Sequence, residues 1–305
     1  MVSRRLEGLT TVTMHAVRRN ELYFRRFVAG AEPDGDSFVL RWSGTAVMGI
    51  INVTPDSFSD GGAYGSPKEA IDAGRLMAAS GALMIDVGGE SSRPGARPVS
   101  TEEELRRVLP VVEVLASDGL IVSIDTTKAI VAKSALAAGA SLVNDIGGLR
   151  DPEMRITCAN AGVPAILMHM RGLPASMQED PVYRDVVSEV SKILHQSAEL
   201  AQKEGVPDVI LDPGIGFGKS FEHNLMLLRS LPTIAKGRPM LVGASRKSLV
   251  ARLTGESNPA ARDPGSIALH LMAASLGVAM VRVHNVEAHI QALRAWEGIR
   301  GQNCT

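Results

Sequence analysis

The segment Gly49-Ile50-Ile51-Asn52-Val53-Thr54-Pro55-Asp56-Ser57-Phe58-Ser59-Asp60-Gly61-Gly62 carries more chemistry than a turn requires. An apolar run has one amide, Asn52, almost at its end. The loop after it holds carboxylates, hydroxyls, an aromatic ring and a glycine pair. A structural turn uses Pro, Gly and one Asp; it has no use for Asn52, Asp56, Phe58 and Asp60 together. Polar loop residues held by a rigid scaffold are where sites are built. A second loop, Asp86 to Gly95, is poor in bulk and rich in donors. Its Arg93 suits a phosphate or carboxylate, because a guanidinium donates a fork of hydrogen bonds; a surface ion pair is the alternative. Asp86 either holds the glycine-loop amides or touches a ligand. A third segment, Asp212-Pro213-Gly214-Ile215-Gly216-Phe217-Gly218-Lys219, is dense in glycine. It is not a P-loop, since Pro213 stands where the first Gly is needed.

These segments need a frame, and the pattern along the chain supplies one. From about residue 45 short β-rich runs alternate with helical patterns. The strand candidates are 46–53, 83–87, 120–125, 141–146, 164–168, 209–212, 240–244 and 278–283. Most are continuous apolar runs, as expected for parallel strands covered on both faces. Ser66-Pro67-Lys68-Glu69 and Ser100 with Glu103 read as capping boxes. Asp151-Pro152 and Asp263-Pro264 each pair an N-cap with a proline. Gly81, Gly139, Gly162, Gly205 and Gly277 each end a helix just before a strand, a quasi-repeat of one βα unit. Eight such units predict an α/β fold, a (β/α)8 TIM barrel over residues 45–300, with a short N-terminal extension over 1–44 and a tail over 301–305. Within the extension, Ser37 to Trp42 predicts a strand closing the barrel's bottom. An open doubly wound sheet is the runner-up, but no Gly-x-Gly-x-x-Gly opens a helix after the first strand.

Barrel active sites lie at the C-terminal ends of the strands. Those ends carry Asn52, Asp86, Asp125, Asn144 with Asp145, His169, Asp212, Ser245-Arg246-Lys247, and Arg282 with His284. Their convergence predicts a polar pocket. Met168 and Met170 either form a flexible apolar wall or pack as ordinary barrel residues. His169 is either a wall residue or a ligand contact, whereas His223 and His270, in helical stretches, read as structural or exposed.

With these residues assembled, the chain resembles the dihydropteroate synthase family. The segments GIINVTPDSFSDGG and IDVGGESSRPGA are similar to that family's two hallmark loops. SIDT at 123–126, ND at 144–145, DPGIGFGK from 212, GASRKS from 243 and RVH at 282–284 follow in the family's order. The resemblance implies condensation of 6-hydroxymethyl-7,8-dihydropterin pyrophosphate with 4-aminobenzoate, giving 7,8-dihydropteroate and pyrophosphate with Mg²⁺ by an SN1-like path. It implies that Asp125, Asn144, Asp212 and Phe217 hold the pterin, with Lys247 at its carbonyl side. Asn52, Arg93, Arg282 and His284 would bind pyrophosphate, Asn52 also serving as the Mg²⁺ ligand. Phe58, Ser92, Pro94 and Ser248 would form the aminobenzoate pocket, and Asp60 would stabilise the cation inside two closing loops. Two departures are visible. Ser92 stands where the family often has Thr. Asn285 stands where Asp is common, which bears on how His284 is oriented.

Two other functions compete. A pterin-dependent methyltransferase shares the barrel but has no need of the two loops or of Ser245-Arg246-Lys247. A non-catalytic pterin-binding paralogue would show degraded loops, yet Asp56, Phe58, Asp60, Arg93 and Pro94 are all in place. The formal net charge of -1 argues against nucleic acid or an anionic membrane as partner. No apolar run reaches the length of a membrane span. Cys158 and Cys304 read as free thiols in a reducing cytoplasm. The family suggests a homodimer through late helices such as Pro264 to Leu276.

Overall fold

The computed structural model describes residues 19–54, 66–91, 98–172 and 181–300. Eight parallel strands lie in one sheet: β4 (Ala46–Asn52), β5 (Met84–Gly88), β6 (Val122–Asp125), β7 (Leu142–Asp145), β8 (Ala165–Met168), β9 (Val209–Asp212), β10 (Leu241–Val242) and β11 (Met280–Val283). Their order is β10-β11-β4-β5-β6-β7-β8-β9. A parallel bridge between Leu211 and Met240 joins the two edges and closes the barrel. The strands are shorter than the apolar runs. β10 keeps two residues of the expected 240–244, because Gly243 and Ala244 have already left the sheet to form a loop.

The helices follow in turn: α1 (Pro67–Ala79), α2 (Thr101–Ser117), α3 (Ala129–Ala137), α4 (Pro152–Ala161), α5 (Val186–Lys203), α6 (Phe221–Arg229), α7 (Leu231–Ala235), α8 (Ser248–Thr254), α9 (Asp263–Ser275) and α10 (Val286–Ile299). Ser66 and Glu69 form the expected capping box. Ser100 makes only half of one: it accepts from Glu103 N–H, while the Glu103 carboxylate is drawn instead to Arg106 and Arg107. Asp263 is not an N-cap. It is the first residue of α9, and its carboxylate is engaged by the Arg246 guanidinium at 2.7 Å and 2.8 Å. An ion pair of this geometry outcompetes a neutral cap. The five helix-ending glycines all take positive φ, the conformation a Cβ would oppose.

Alternation along the strands sorts their side chains into two sets. Val47, Ile51, Ile85, Val87, Ile124, Val143, Leu167, Leu211 and Val281 pack outward in the layer shared with the helices. Met48, Met84, Ile121, Leu142, Ile166, Ile210, Leu241 and Met280, one from each strand or its threshold, form a separate inner cluster. The period of two then places a second inner tier directly above: Ile50, Asp86, Ser123, Asn144, Met168, Asp212, Gly243 and Arg282. The inner face is thus apolar at the bottom and polar at the top. That gradient positions the site.

Beneath the inner cluster sits a three-stranded antiparallel sheet in the order β1-β3-β2, built from β1 (Arg19–Phe24), β2 (Glu32–Asp34) and β3 (Ser37–Ser43). Leu22, Phe24, Val28 and Leu40 pack onto the eight inner residues, and Trp42 Nε1 donates to the Ala279 carbonyl at 2.9 Å. The sheet is a hydrophobic floor. Truncating fully buried Phe24 to Ala should lower stability by about 3–5 kcal/mol. Urea unfolding measures this, and a loss under ~1 kcal/mol would show that the floor does not support the barrel.

Candidate active site

Arg282, in the second inner tier of β11, organises the barrel mouth. Its Nε donates to Asp86 Oδ2 at 2.5 Å and its Nη2 to Asp125 Oδ2 at 2.7 Å. Asn144 Nδ2 donates to the same Asp86 oxygen at 2.9 Å. Asp86 therefore does not hold glycine-loop amides. It is wholly buried and fixes Arg282 and Asn144. Asp86 Oδ1 and Ser123 Oγ, both buried at the barrel centre, have no hydrogen-bond partner among the described residues. Buried orphans of this kind mark places where water or a ligand is accommodated. Burial pushes the Asp125 carboxyl up to about 7, against the pull of Arg282.

A second group faces it across the mouth. Burial also raises the Asp212 carboxyl, opposed by the charge on Lys247. Asp212 Oδ1 accepts from Gly214 N–H at 2.7 Å. Lys247 Nζ donates to the Ile215 carbonyl at 2.6 Å and lies 4.5 Å from the centre of the Phe217 ring. Burial lowers its ammonium to about 8. Phe217, Met168 and Met170 form a small apolar cluster with Ile146. Acceptors, an ammonium and an apolar wall therefore converge at the barrel mouth.

The side around Asn52 and His284 is sparser. Asn52 ends β4, half-buried and in register with Gly88. Ser245 Oγ accepts the His284 N–H at 3.2 Å and lies 2.9 Å from His284 Nδ1. With the hydroxyl donating to Nδ1, the His284 proton sits on Nε2. Asn285 does not orient the His284 ring. Its Oδ1 caps α10 at Ala288 N–H and its Nδ2 donates to Asp263 at 3.0 Å. Ser248 is exposed at the first position of α8. Phe58, Asp60, Ser92, Arg93 and Pro94 lie outside the described residues.

Several strand-end residues belong to the frame. Both Asp145 oxygens are taken by backbone amides, of Gly147 at 2.6 Å and Leu149 at 2.8 Å. Glu90 pairs with Lys128. His169 is a wall residue: its Nδ1 lies 3.1 Å from Lys219 Nζ, and burial with that neighbouring charge lowers it to about 3. Lys219 donates further to the carbonyls of His169 and Phe217 at 3.0 and 2.8 Å. It joins the β8 and β9 loops under Phe217. In the sequence Lys219 stands out only as the last residue of the DPGIGFGK segment, with no role assigned to it. A lone Lys after glycines gives no sign of burial. The loops approach closely there: a Cβ on Gly214, at φ +67°, would fall 2.0 Å from the His169 carbonyl oxygen.

Among the described residues, no three of His, Cys, Asp or Glu gather as metal ligands. The Asn52 amide oxygen is a hard donor at the strand end, which suits an ion that keeps its waters and takes other oxygens from a phosphate ligand. No helix among the described residues is long and apolar enough to cross a membrane.

The profile of the family described as Pterin binding enzyme matches residues 48–284. Dihydropteroate synthase from Synechocystis sp. is 44% identical over 260 residues, covering 84% of this chain and 90% of that protein. Among solved structures, Yersinia pestis dihydropteroate synthase in a sulfonamide drug complex superposes with a TM-score of 0.81 at 42% identity, covering 85% of this chain and 95% of the other. The Thermus thermophilus enzyme in complex with 4-aminobenzoate gives 0.80 at 44% identity, covering 92% and 100%. Similarity of this extent, over the strands, loops and mouth residues described above, places the chain in the dihydropteroate synthase family.

Proposed function

We propose that this barrel mouth joins 6-hydroxymethyl-7,8-dihydropterin pyrophosphate to 4-aminobenzoate, with Asp125, Asn144, Asp212 and Lys247 holding the pterin. The convergence of two raised carboxyls, an amide and an ammonium beside the Phe217–Met168 wall carries this reading. The 2-amino and ring N–H groups of a pterin form a flat donor edge, for which buried carboxylates are apt acceptors. Each charge-assisted bond contributes on the order of 1.5–3 kcal/mol. Lys247 Nζ supplies the complementary donor for the ring carbonyl, and Phe217 and Met168 offer the ring face apolar contact.

On the diphosphate side, Asn52, Arg282 and His284 would bind oxygen atoms, with Arg93 from the second loop. Arg282 Nη1 has no hydrogen-bond partner among the described residues. The bond from the exocyclic methylene to oxygen breaks with its electrons leaving on the diphosphate. Donors already fixed in place stabilise that charge without reorganising. A Mg²⁺ ion held by Asn52 and the diphosphate would add Lewis-acid stabilisation of the leaving oxygens. The electron-rich pterin supports an SN1-like cation, and Asp60 would stabilise it. The amine of 4-aminobenzoate, received by Phe58, Ser92, Pro94 and Ser248, forms the new C–N bond. It gives up one proton, which the diphosphate oxygens can accept. Closure of the two loops would exclude water, the competing nucleophile.

A homodimer in the cytoplasm completes the proposal. Ile267, Leu269, Leu271, Met272 and Ala274 along α9 are only half-buried within one chain. Cys158 is a buried free thiol. Light scattering that returned the mass of a single 32.3 kDa chain would overturn the dimer.

A coupled pyrophosphate-release assay with both substrates and Mg²⁺ tests the reaction. No release alongside intact pterin binding would favour a non-catalytic pterin-binding paralogue. Asp212→Ala should weaken pterin binding by roughly tenfold or more, the loss expected from a charge-assisted bond; unchanged calorimetric affinity would remove Asp212 from the pocket. The sign of the pH effect follows from Asp125. Its carboxyl titrates at about 7 in the unliganded protein, so below that pH the acceptor is protonated before the pterin arrives. Pterin affinity should therefore fall as pH drops through 7, approaching about tenfold per unit. A flat profile between about pH 5.5 and 7.5 would contradict the role of Asp125 as a charged acceptor.

A further inference from the structure

The arm from Ala244 to Lys247 has left the sheet, and its backbone is satisfied from outside the barrel. Ala244 N–H donates to His270 Nε2 at 3.1 Å, and Arg246 N–H to Ser266 Oγ at 3.0 Å. The Arg246 carbonyl accepts from Arg262 at 3.0 Å. Arg246 itself sits at φ +58°, a left-handed conformation a non-glycine residue keeps only when its surroundings impose it. The arm carries Lys247 to the mouth and Ser245 to His284.

Behind Ala244 the hydrogen bonds continue through two buried imidazoles. His270 Nδ1 lies 2.9 Å from His289 Nε2, and His289 Nδ1 lies 2.6 Å from the Asn285 carbonyl. Both rings are about 1% exposed. The chain has one consistent proton arrangement. Ala244 N–H can only donate, so His270 Nε2 is bare and Nδ1 carries the proton. His289 Nε2 must accept it, so His289 also carries its proton on Nδ1, which the Asn285 carbonyl receives. Every bond points from the arm towards α10, and an extra proton on either ring would set two donors against each other.

We propose that His270 and His289 are positioning residues for the pterin end of the site, a one-way relay of two neutral imidazoles that fixes the arm bearing Lys247. The inference rests on the pterin reading above. The surrounding charges agree with neutrality. Lys247, His284 and His289 disfavour a second proton on His270 and Arg246 disfavours one on His289, while the Asn285 carbonyl and Asp263 on α9 favour it at His289, and the Asp263 carboxylate is already bonded to Arg246 and Asn285. Burial is the largest influence and keeps both rings below their ordinary range. In the unfolded chain both would titrate near the usual ~6.5, so the relay costs stability progressively as pH falls below that value.

The full-length protein tests this in two ways. His270→Phe removes the acceptor for Ala244 N–H, whereas His270→Gln keeps one. With both variants shown to be folded by thermal unfolding, His270→Phe should raise KM for the dihydropterin pyrophosphate by about fivefold, the loss of one buried bond, and leave KM for 4-aminobenzoate within about twofold; His270→Gln should restore most of it. Equal KM values in both variants and wild type, or a fall in kcat alone, would show a merely structural role and overturn the proposal. The second test needs no variant or activity. Nitrogen-15 spectra of histidine-labelled wild type should show two of the seven imidazoles as Nδ1–H with bare Nε2 from about pH 8 to 5.5. Fewer than two, or protonation of either at about pH 6, would overturn the relay. A wild type that binds pterin yet forms no dihydropteroate would defeat the proposed reaction and leave this spectrum unaffected.

Discussion

One guanidinium held between two carboxylates at the centre of the barrel governs the arrangement of everything around it. Arg282 cannot be buried alone, since an isolated charge removed from water costs several kcal/mol. Asp86 and Asp125 neutralise it from neighbouring strands, and Asn144 completes the Asp86 oxygen that Arg282 shares. Breaking such a pair by removing one member typically costs about 3–5 kcal/mol, because the other is left uncompensated. These four side chains thereby tie β11, β5, β6 and β7 together at the barrel mouth.

The same cluster accounts for the reactivity of the mouth. Burial raises the Asp125 carboxyl to about 7 against the pull of Arg282, and the neighbouring Asp86 charge adds to the rise. Across the space, Asp212 and Lys247 are also buried, and each moves the other back towards its charged form. A pocket poised in this way favours a ligand that brings both donors and an acceptor in one plane. The apolar wall of Phe217 and Met168 adds shape, while the relay through His270 and His289 secures the arm that delivers Lys247.

Much of this was legible along the chain. The eight βα repeats, the terminal glycines and the polar residue at nearly every strand end follow from local rules: period, capping and turn chemistry. Other features resisted reading because the competing partner is distant in sequence. Asp263 looks like an N-cap until Arg246 claims its carboxylate. Ser100 looks like half of a capping box whose other half, Glu103, is drawn to arginines. Asp86 and Asp145 read alike as strand-end carboxylates, yet one binds a guanidinium and the other two backbone amides.

The sequence by itself determined the barrel, its family and the set of side chains gathered at one end, because strand alternation and motif order are properties of neighbouring residues. Only the tertiary structure decided which of those side chains are paired with one another and which with the backbone. Burial and charge pairing act across strands separated by up to 196 positions, as between Asp86 and Arg282, and no local pattern encodes them. His270 and His289 show the limit most plainly. In the chain they are two helical histidines 19 residues apart; in the fold they are one hydrogen-bonded line ending at the backbone beside Lys247.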